Sequence, residues 1–201
     1  EMCIRDRPNY SVQLWSKFGS VFYKKAKLSA AGIPVIAILH GFSTAGGAYQ
    51  IGMSDYVIGV KGNGMAALAG SALLKAATGE DATNNDIGGV EMHSVVTGSV
   101  EYLVNDDTES IVTVRKLIDQ LNWNENDAQK TILNFEEPEY PIEDLAGIVP
   151  TDYSKGYDVR EVIARLVDQS VFIELKPKYG LSMVCAQAKI EGIQCGIIAN
   201  N

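Results

Sequence analysis

Histidine, cysteine and cationic charge are all scarce in this chain of 201 residues. Two histidines, His40 and His93, cannot assemble a multi-histidine metal site, and no metal ligand set is expected. The three cysteines, Cys3, Cys185 and Cys195, have neither zinc-ligand nor redox spacing, so a reduced intracellular setting is the simplest reading. Lysine and arginine number 17 against 25 acids, a net charge of -8, which argues against sequence-independent nucleic-acid binding. No apolar run reaches the roughly 20 residues that a membrane-spanning helix needs. Neither standard glycine-rich phosphate loop is present.

What is there is a pattern of alternating helices and strands, the mark of an α/β protein. Residues 10–31 carry Trp15, Phe18, Phe22 and Ala26 at helical spacing, and Gly32 and Pro34 stop the helix. Val35-Ile36-Ala37-Ile38-Leu39 reads as a strand buried on both faces. It gives way to Thr44-Ala45-Gly46-Gly47-Ala48-Tyr49, a tight turn into a short helix over about Thr44 to Met53. Asp55–Val60 reads as a second buried strand, Met65–Ala69 as extended and Ser71–Ala77 as a helix closed by Gly79. Asp86–His93 reads as one short helix, Glu101–Asn105 as a strand and Asp107–Leu121 as an amphipathic helix with acids at its start. From Asn122 to about Tyr157 the chain is polar and punctuated, a domain connection. Order resumes at Asp158 with a helix, a strand at Phe172–Leu175, and a hairpin turning at Glu191-Gly192. No internal repeat is visible in the strings.

Gly46 and Gly47 follow a strand and open a helix, so their N–H groups sit unencumbered at its positive end. Developing negative charge on an oxygen is stabilised by such donors. Two glycines there also allow close helix–strand packing, and the pattern does not choose between the two readings. His40-Gly41-Phe42-Ser43-Thr44-Ala45 nearly fits a nucleophile elbow with Ser43 as the nucleophile. The later histidine, His93, has no supporting surroundings, and Ser43 and Thr44 read better as a helix cap. Lys17, Lys24, Lys25 and Lys27 could meet the phosphates of a nucleotide-like ligand, but a solvated helix face explains them more simply. His93 reads as a hydrogen-bonded structural histidine, Asp106-Asp107 as a helix start, and Cys185 and Cys195 as buried thiols on facing strands.

Particular strings go further. Ala30-Ala31-Gly32-Ile33-Pro34-Val35-Ile36-Ala37 and Ser43-Thr44-Ala45-Gly46-Gly47-Ala48-Tyr49 resemble the carboxyltransferase (beta) subunit of biotin-dependent acyl-CoA carboxylases, in its methylcrotonyl-CoA carboxylase branch. The resemblance runs on through Leu68-Ala69-Gly70, Leu74 to Glu80, Asp86-Ile87-Gly88-Gly89 with His93, Asp106-Asp107, Tyr157 to Arg165 and Gly196 to Asn201. It implies a crotonase/ClpP-like ββα superhelix: 8–121 as the later part of one domain, 122–157 as a connection, and 158–201 as the start of a second similar domain. Residues 1–7 resemble a translated sequencing adaptor and are expected to be non-native.

The resemblance also implies a reaction. Carboxybiotin decarboxylates, the biotin nitrogen takes the α-proton of an acyl-CoA, and the resulting enolate attacks the carbon dioxide. Gly46 and Gly47 match the oxyanion positions for that enolate, with Ala45, Ala48, Tyr49 and Gly70 at the substrate. Biotin is expected on a partner subunit or domain that also includes biotin carboxylase. The subunit is expected to be a homo-oligomer, in the cytoplasm or, in a eukaryote, the mitochondrial matrix. Ala69-Gly70-Ser71-Ala72 stands where the family commonly has Ala-Gly-Pro-Pro, which leaves the acyl preference open. The second oxyanion hole belongs to residues beyond these, so the chain alone is expected to be inactive. A single-domain crotonase hydratase or isomerase, and a non-catalytic scaffold subunit, are the competing functions.

Overall fold

The computed structural model describes residues 12–121, 135–152 and 154–201. Expectations for residues 1–7, Tyr10, residues 122–127 and the side chain of Trp15 lie outside the described residues. The chain divides into two compact units, Glu1–Val114 and Arg115–Asn201.

The first unit opens with helix α1 (Val12–Ala30), which stops where Gly32 adopts φ 74° and turns the chain back, its N–H donating to the Ser29 carbonyl. Strands β1 (Ile36–Leu39), β3 (Tyr56–Val60) and β5 (Tyr102–Val104) form a parallel sheet in the order β1-β3-β5. The β3 strand is central and buried from Val57 to Val60. By contrast β1 is an edge strand, part-exposed except at Leu39, rather than covered on both faces. A second parallel sheet pairs β2 (Phe42–Thr44) with β4 (Met65–Ala67). Helices α2 (Gly46–Gly52) and α3 (Ser71–Thr78) follow β2 and β4 in turn.

The chain therefore repeats strand, strand, helix twice, with Ile36 beside Tyr56 and Phe42 beside Met65. That ββα repeat is structural only: strands of three residues are too short to show a period in sequence. β2 is also the strand the sequence hid, because Phe42-Ser43-Thr44 reads as part of the turn. Leu39, Val57, Val90 and Val100 form the buried core, with Ile51, Ala66 and Leu103 packed on it.

The expected helix over Asp86–His93 is instead three pieces. Helix α4 (Asn84–Gly88) is capped by Thr83, with Asp86 completing a reciprocal capping box. Helix α5 (Val90–Met92) then runs into a π-helical turn, His93–Thr97, closed by Gly98 at φ 65°. Helix α6 (Asp107–Leu121) begins as expected, the Asp106 carboxylate accepting from the Glu109 N–H at 2.8 Å.

In the second unit a 3-10 turn at Ile142–Asp144 leads into α7 (Leu145–Ile148). Further on, α8 (Val159–Ile163) packs on an antiparallel sheet of β6 (Phe172–Leu175), β7 (Met183–Ile190) and β8 (Ile193–Asn200). Its core is Val159, Ile163, Val167, Val184 and Ala188. The Arg160 guanidinium grips the Glu174 carboxylate with two bonds, 2.7 and 2.6 Å. Cys195 packs into this core opposite Ala188, whereas Cys185 pairs with Ile198 on the other face. The two thiols are thus half-buried on opposite faces rather than buried together.

Candidate active site

The site is built where β2 passes into α2. Ala45 caps the helix with φ 51° and ψ -119°, a left-handed conformation that a residue with a Cβ adopts at a cost on the order of 1–3 kcal/mol. It is held there by its own N–H, which donates to the Ala67 carbonyl of β4 at 3.0 Å. No side chain caps the helix, so the capping role expected of Ser43 and Thr44 is corrected. Ser43 lies on β2 instead, its hydroxyl beneath Gly47: a Cβ added at Gly47 would lie 2.8 Å from Ser43 Oγ.

This arrangement disposes of the serine-nucleophile reading. The residue raised at the sharp strand-to-helix turn is Ala45, which carries only a methyl. What the turn does present is main chain. Gly46 and Gly47 are the first two residues of α2, and neither N–H has an acceptor among the described residues. Among the described residues a second strand-to-helix turn leads from β4 to α3. There Gly70 caps the helix, and the Asn84 side chain accepts from the Ser71 N–H at 3.0 Å.

Immediately past the donors lies an apolar pocket of about 540 Å³. Ala48 and Tyr49 line it from α2; Ala66, Ala67, Leu68 and Ala69 line it from β4 and the loop beyond. Of the residues expected at a site, Ala48 and Tyr49 therefore share one wall. Ala45, Gly46 and Gly47 precede that wall directly in the chain, and Gly70 follows the lining residue Ala69. Tyr49 meets Phe22 of α1 edge-on, with ring centroids 6.3 Å apart. His93 also lines the pocket, but both ring nitrogens are engaged, Nε2 with the Ala66 carbonyl at 2.8 Å and Nδ1 with Thr97 Oγ1 at 3.0 Å.

Lys25 is half-buried rather than part of a solvated face. Its ammonium donates to the Gln50 carbonyl and to Ser54 Oγ, fastening α1 to the end of α2. Burial lowers its pKa, and Asp55 opposes the shift. Sequence reasoning missed this clamp because a lysine off the apolar stripe looks like any other. Among the described residues no cluster of histidine, cysteine and carboxylate side chains could hold a metal ion, and no helix is long and apolar enough to cross a membrane.

A family model described as the carboxyl transferase domain matches residues 7–201. The chain belongs to the carboxyl transferase domain family. It is 45% identical over 184 residues to the mitochondrial methylcrotonoyl-CoA carboxylase beta chain of Dictyostelium discoideum, covering 92% of this chain and 31% of that one. It is 44% identical over 182 residues to a probable biotin-dependent acyl-coenzyme A carboxylase beta2 subunit of Mycobacterium tuberculosis, covering 90% of this chain and 34% of that one. A solved transcarboxylase 12S, with hydrolyzed methylmalonyl-coenzyme A bound, superposes with a TM-score of 0.82 at 33% identity, covering 97% of this chain and 38% of that one. The chain thus spans about a third of the length of the curated relatives it matches. Its mixed α/β architecture is the crotonase-like one that the resemblance implied.

Proposed function

We propose that this chain is part of a carboxyltransferase beta subunit that moves a carboxyl group from carboxybiotin to an acyl-CoA of the methylcrotonoyl type. The observation that carries the reading is the strained Ala45 turn, which leaves two acceptor-free N–H groups directly before the Ala48-Tyr49 wall of an apolar pocket. Removing the α-proton of a thioester moves negative charge onto the carbonyl oxygen. Donors at Gly46 and Gly47 favour that charge over the neutral ground state, which is differential transition-state binding. Ala48, Tyr49 and the Leu68-Ala69-Gly70 segment would hold the acyl-CoA. The pocket wall supplies no free side-chain base, since His93 is engaged at both nitrogens. That suits a reaction whose base arrives with the carboxyl donor.

Biotin is borne by a partner carrier. The exposed side chains of Tyr49 and Leu68, both lining the pocket, support a homo-oligomer whose neighbouring subunit completes the site. The cytoplasm, or the mitochondrial matrix in a eukaryote, is the proposed location.

The test is to assemble the full-length subunit with its biotin carboxylase and carrier and supply ATP, labelled bicarbonate and methylcrotonoyl-CoA. Label is expected in the acyl-CoA product. A fully assembled complex that charges biotin but labels no acyl-CoA would overturn the proposal.

A further inference from the structure

We propose that His93 is the positioning residue of the donor turn, acting through the main chain of β4. The inference rests on the carboxyltransferase reading of that turn. A carbonyl oxygen can only accept, so the 2.8 Å contact with Ala66 fixes a proton on Nε2, while Nδ1 lies 3.0 Å from Thr97 Oγ1. The next carbonyl along β4, that of Ala67, receives the Ala45 N–H at 3.0 Å. Successive carbonyls of a strand point to opposite sides. Strand β4 is thus bonded on one side by His93 and on the other by the residue whose strained conformation aims the donors.

At that end the strand is held by its pairing with β2, by Ala66 packing on the core and by the imidazole. It is three residues long, and its one sheet partner, β2, is the strand that leads into the turn. A two-stranded sheet is marginal by itself. The start of β4 is tied to the core by the Val90 N–H, which donates to the Gly64 carbonyl at 3.1 Å, and by a bridge between Met65 and Gly89. At the far end one anchor is the imidazole, rooted in the π-helical turn behind buried Val90. Gly88 closes the remaining side: a Cβ there would lie 2.4 Å from the Ala66 oxygen, so the main chains are already in contact. His93 therefore needs no proton transfer to matter. It sets where Ala67 sits, Ala67 sets Ala45, and Ala45 sets the two donors.

Glutamine and asparagine separate this role from a general need for a polar residue. The amide nitrogen of glutamine can reach the place of Nε2, whereas that of asparagine reaches only the place of Nδ1. In the full-length subunit assembled with its biotin-bearing partner, His93→Gln is expected to keep kcat with methylcrotonoyl-CoA within about threefold of wild type. His93→Asn is expected to lower kcat by about tenfold or more while KM stays within about threefold, because a displaced donor is felt in the transition state rather than in binding. Equal kcat for the two variants, a change confined to KM, or failure of both to assemble would overturn the positioning role. A wild-type complex that labels no acyl-CoA would instead overturn the carboxyltransferase reading beneath it.

Discussion

Alanine at position 47 tests whether the glycine is there for its missing side chain or for its N–H. The added Cβ would stand 2.8 Å from Ser43 Oγ, about 0.6 Å inside an ordinary contact distance, while Ser43 Cβ at 3.8 Å is already in comfortable contact. Overlap of this size in a packed site costs about 1–3 kcal/mol, offset by the roughly 1 kcal/mol that alanine gains over glycine in a helix. Removing the hydroxyl removes the clash, so Ser43→Ala and Gly47→Ala should be strongly non-additive, with a coupling of about 1–2 kcal/mol in favour of the pair. The readout is amide exchange at the end of α2 and its C-cap, from Gln50 to Met53, in the full-length subunit; the coupling corresponds to roughly a tenfold change in protection. Turnover should follow the same pattern, falling in Gly47→Ala and returning in the double variant, since alanine still carries the N–H. Additive effects on exchange would refute the packing argument. A stable double variant that stays inactive would show that position 47 needs glycine for a reason other than Ser43.

Two further outcomes follow from the clamps described above. Replacing Glu174 by alanine strips the Arg160 guanidinium of both fork bonds where the side chains are 29% and 13% exposed, and should destabilise the Arg115–Asn201 unit by about 2 kcal/mol in denaturant unfolding; no shift would mean that Asp158 alone suffices. The Asp86 carboxyl is held below its usual range first by the Thr83 hydroxyl and then by the Thr83 N–H. A depressed folded-state pKa stabilises above the unfolded value and is lost as pH falls through the folded one. The thermal advantage of wild type over Asp86→Ala should therefore be full at pH 7 and fade below about pH 4. An advantage that stays constant from pH 7 to pH 3 would contradict this.

Long elements were legible because periodicity accumulates: α1 and α6 lie where apolar spacing puts them, and β7 and β8 turn where Glu191-Gly192 allows. The Glu191-Gly192 turn also shows what sequence leaves out. Both residues have positive φ, and the Asp168 carboxylate accepts from both N–H groups, a support lying more than twenty residues away in the chain. The candidate site was legible as a string, yet its geometry was not. The near-elbow drew the eye to Ser43, while the residue raised at the turn is Ala45, two places on. Alanine gives no local sign of a left-handed conformation; the cause is the Ala67 carbonyl on another strand. Nor does the sequence reveal that Lys25 is a clamp or that the two thiols face opposite ways, because both depend on tertiary partners and register.

The methyl group of Ala45 has one more consequence. A turn of this shape with a hydroxyl or thiol in that place would hold a nucleophile against a thioester whose carbonyl oxygen is already polarised. Acyl transfer to the protein, followed by hydrolysis, would then compete with carbon–carbon bond formation. On the proposed function, an unreactive side chain at φ 51° would give chemoselectivity: the thioester could be made electron-rich at its α-carbon without being spent at its carbonyl. In a site of this kind the survival of the coenzyme ester through each turnover depends on what the sharpest residue in the chain lacks.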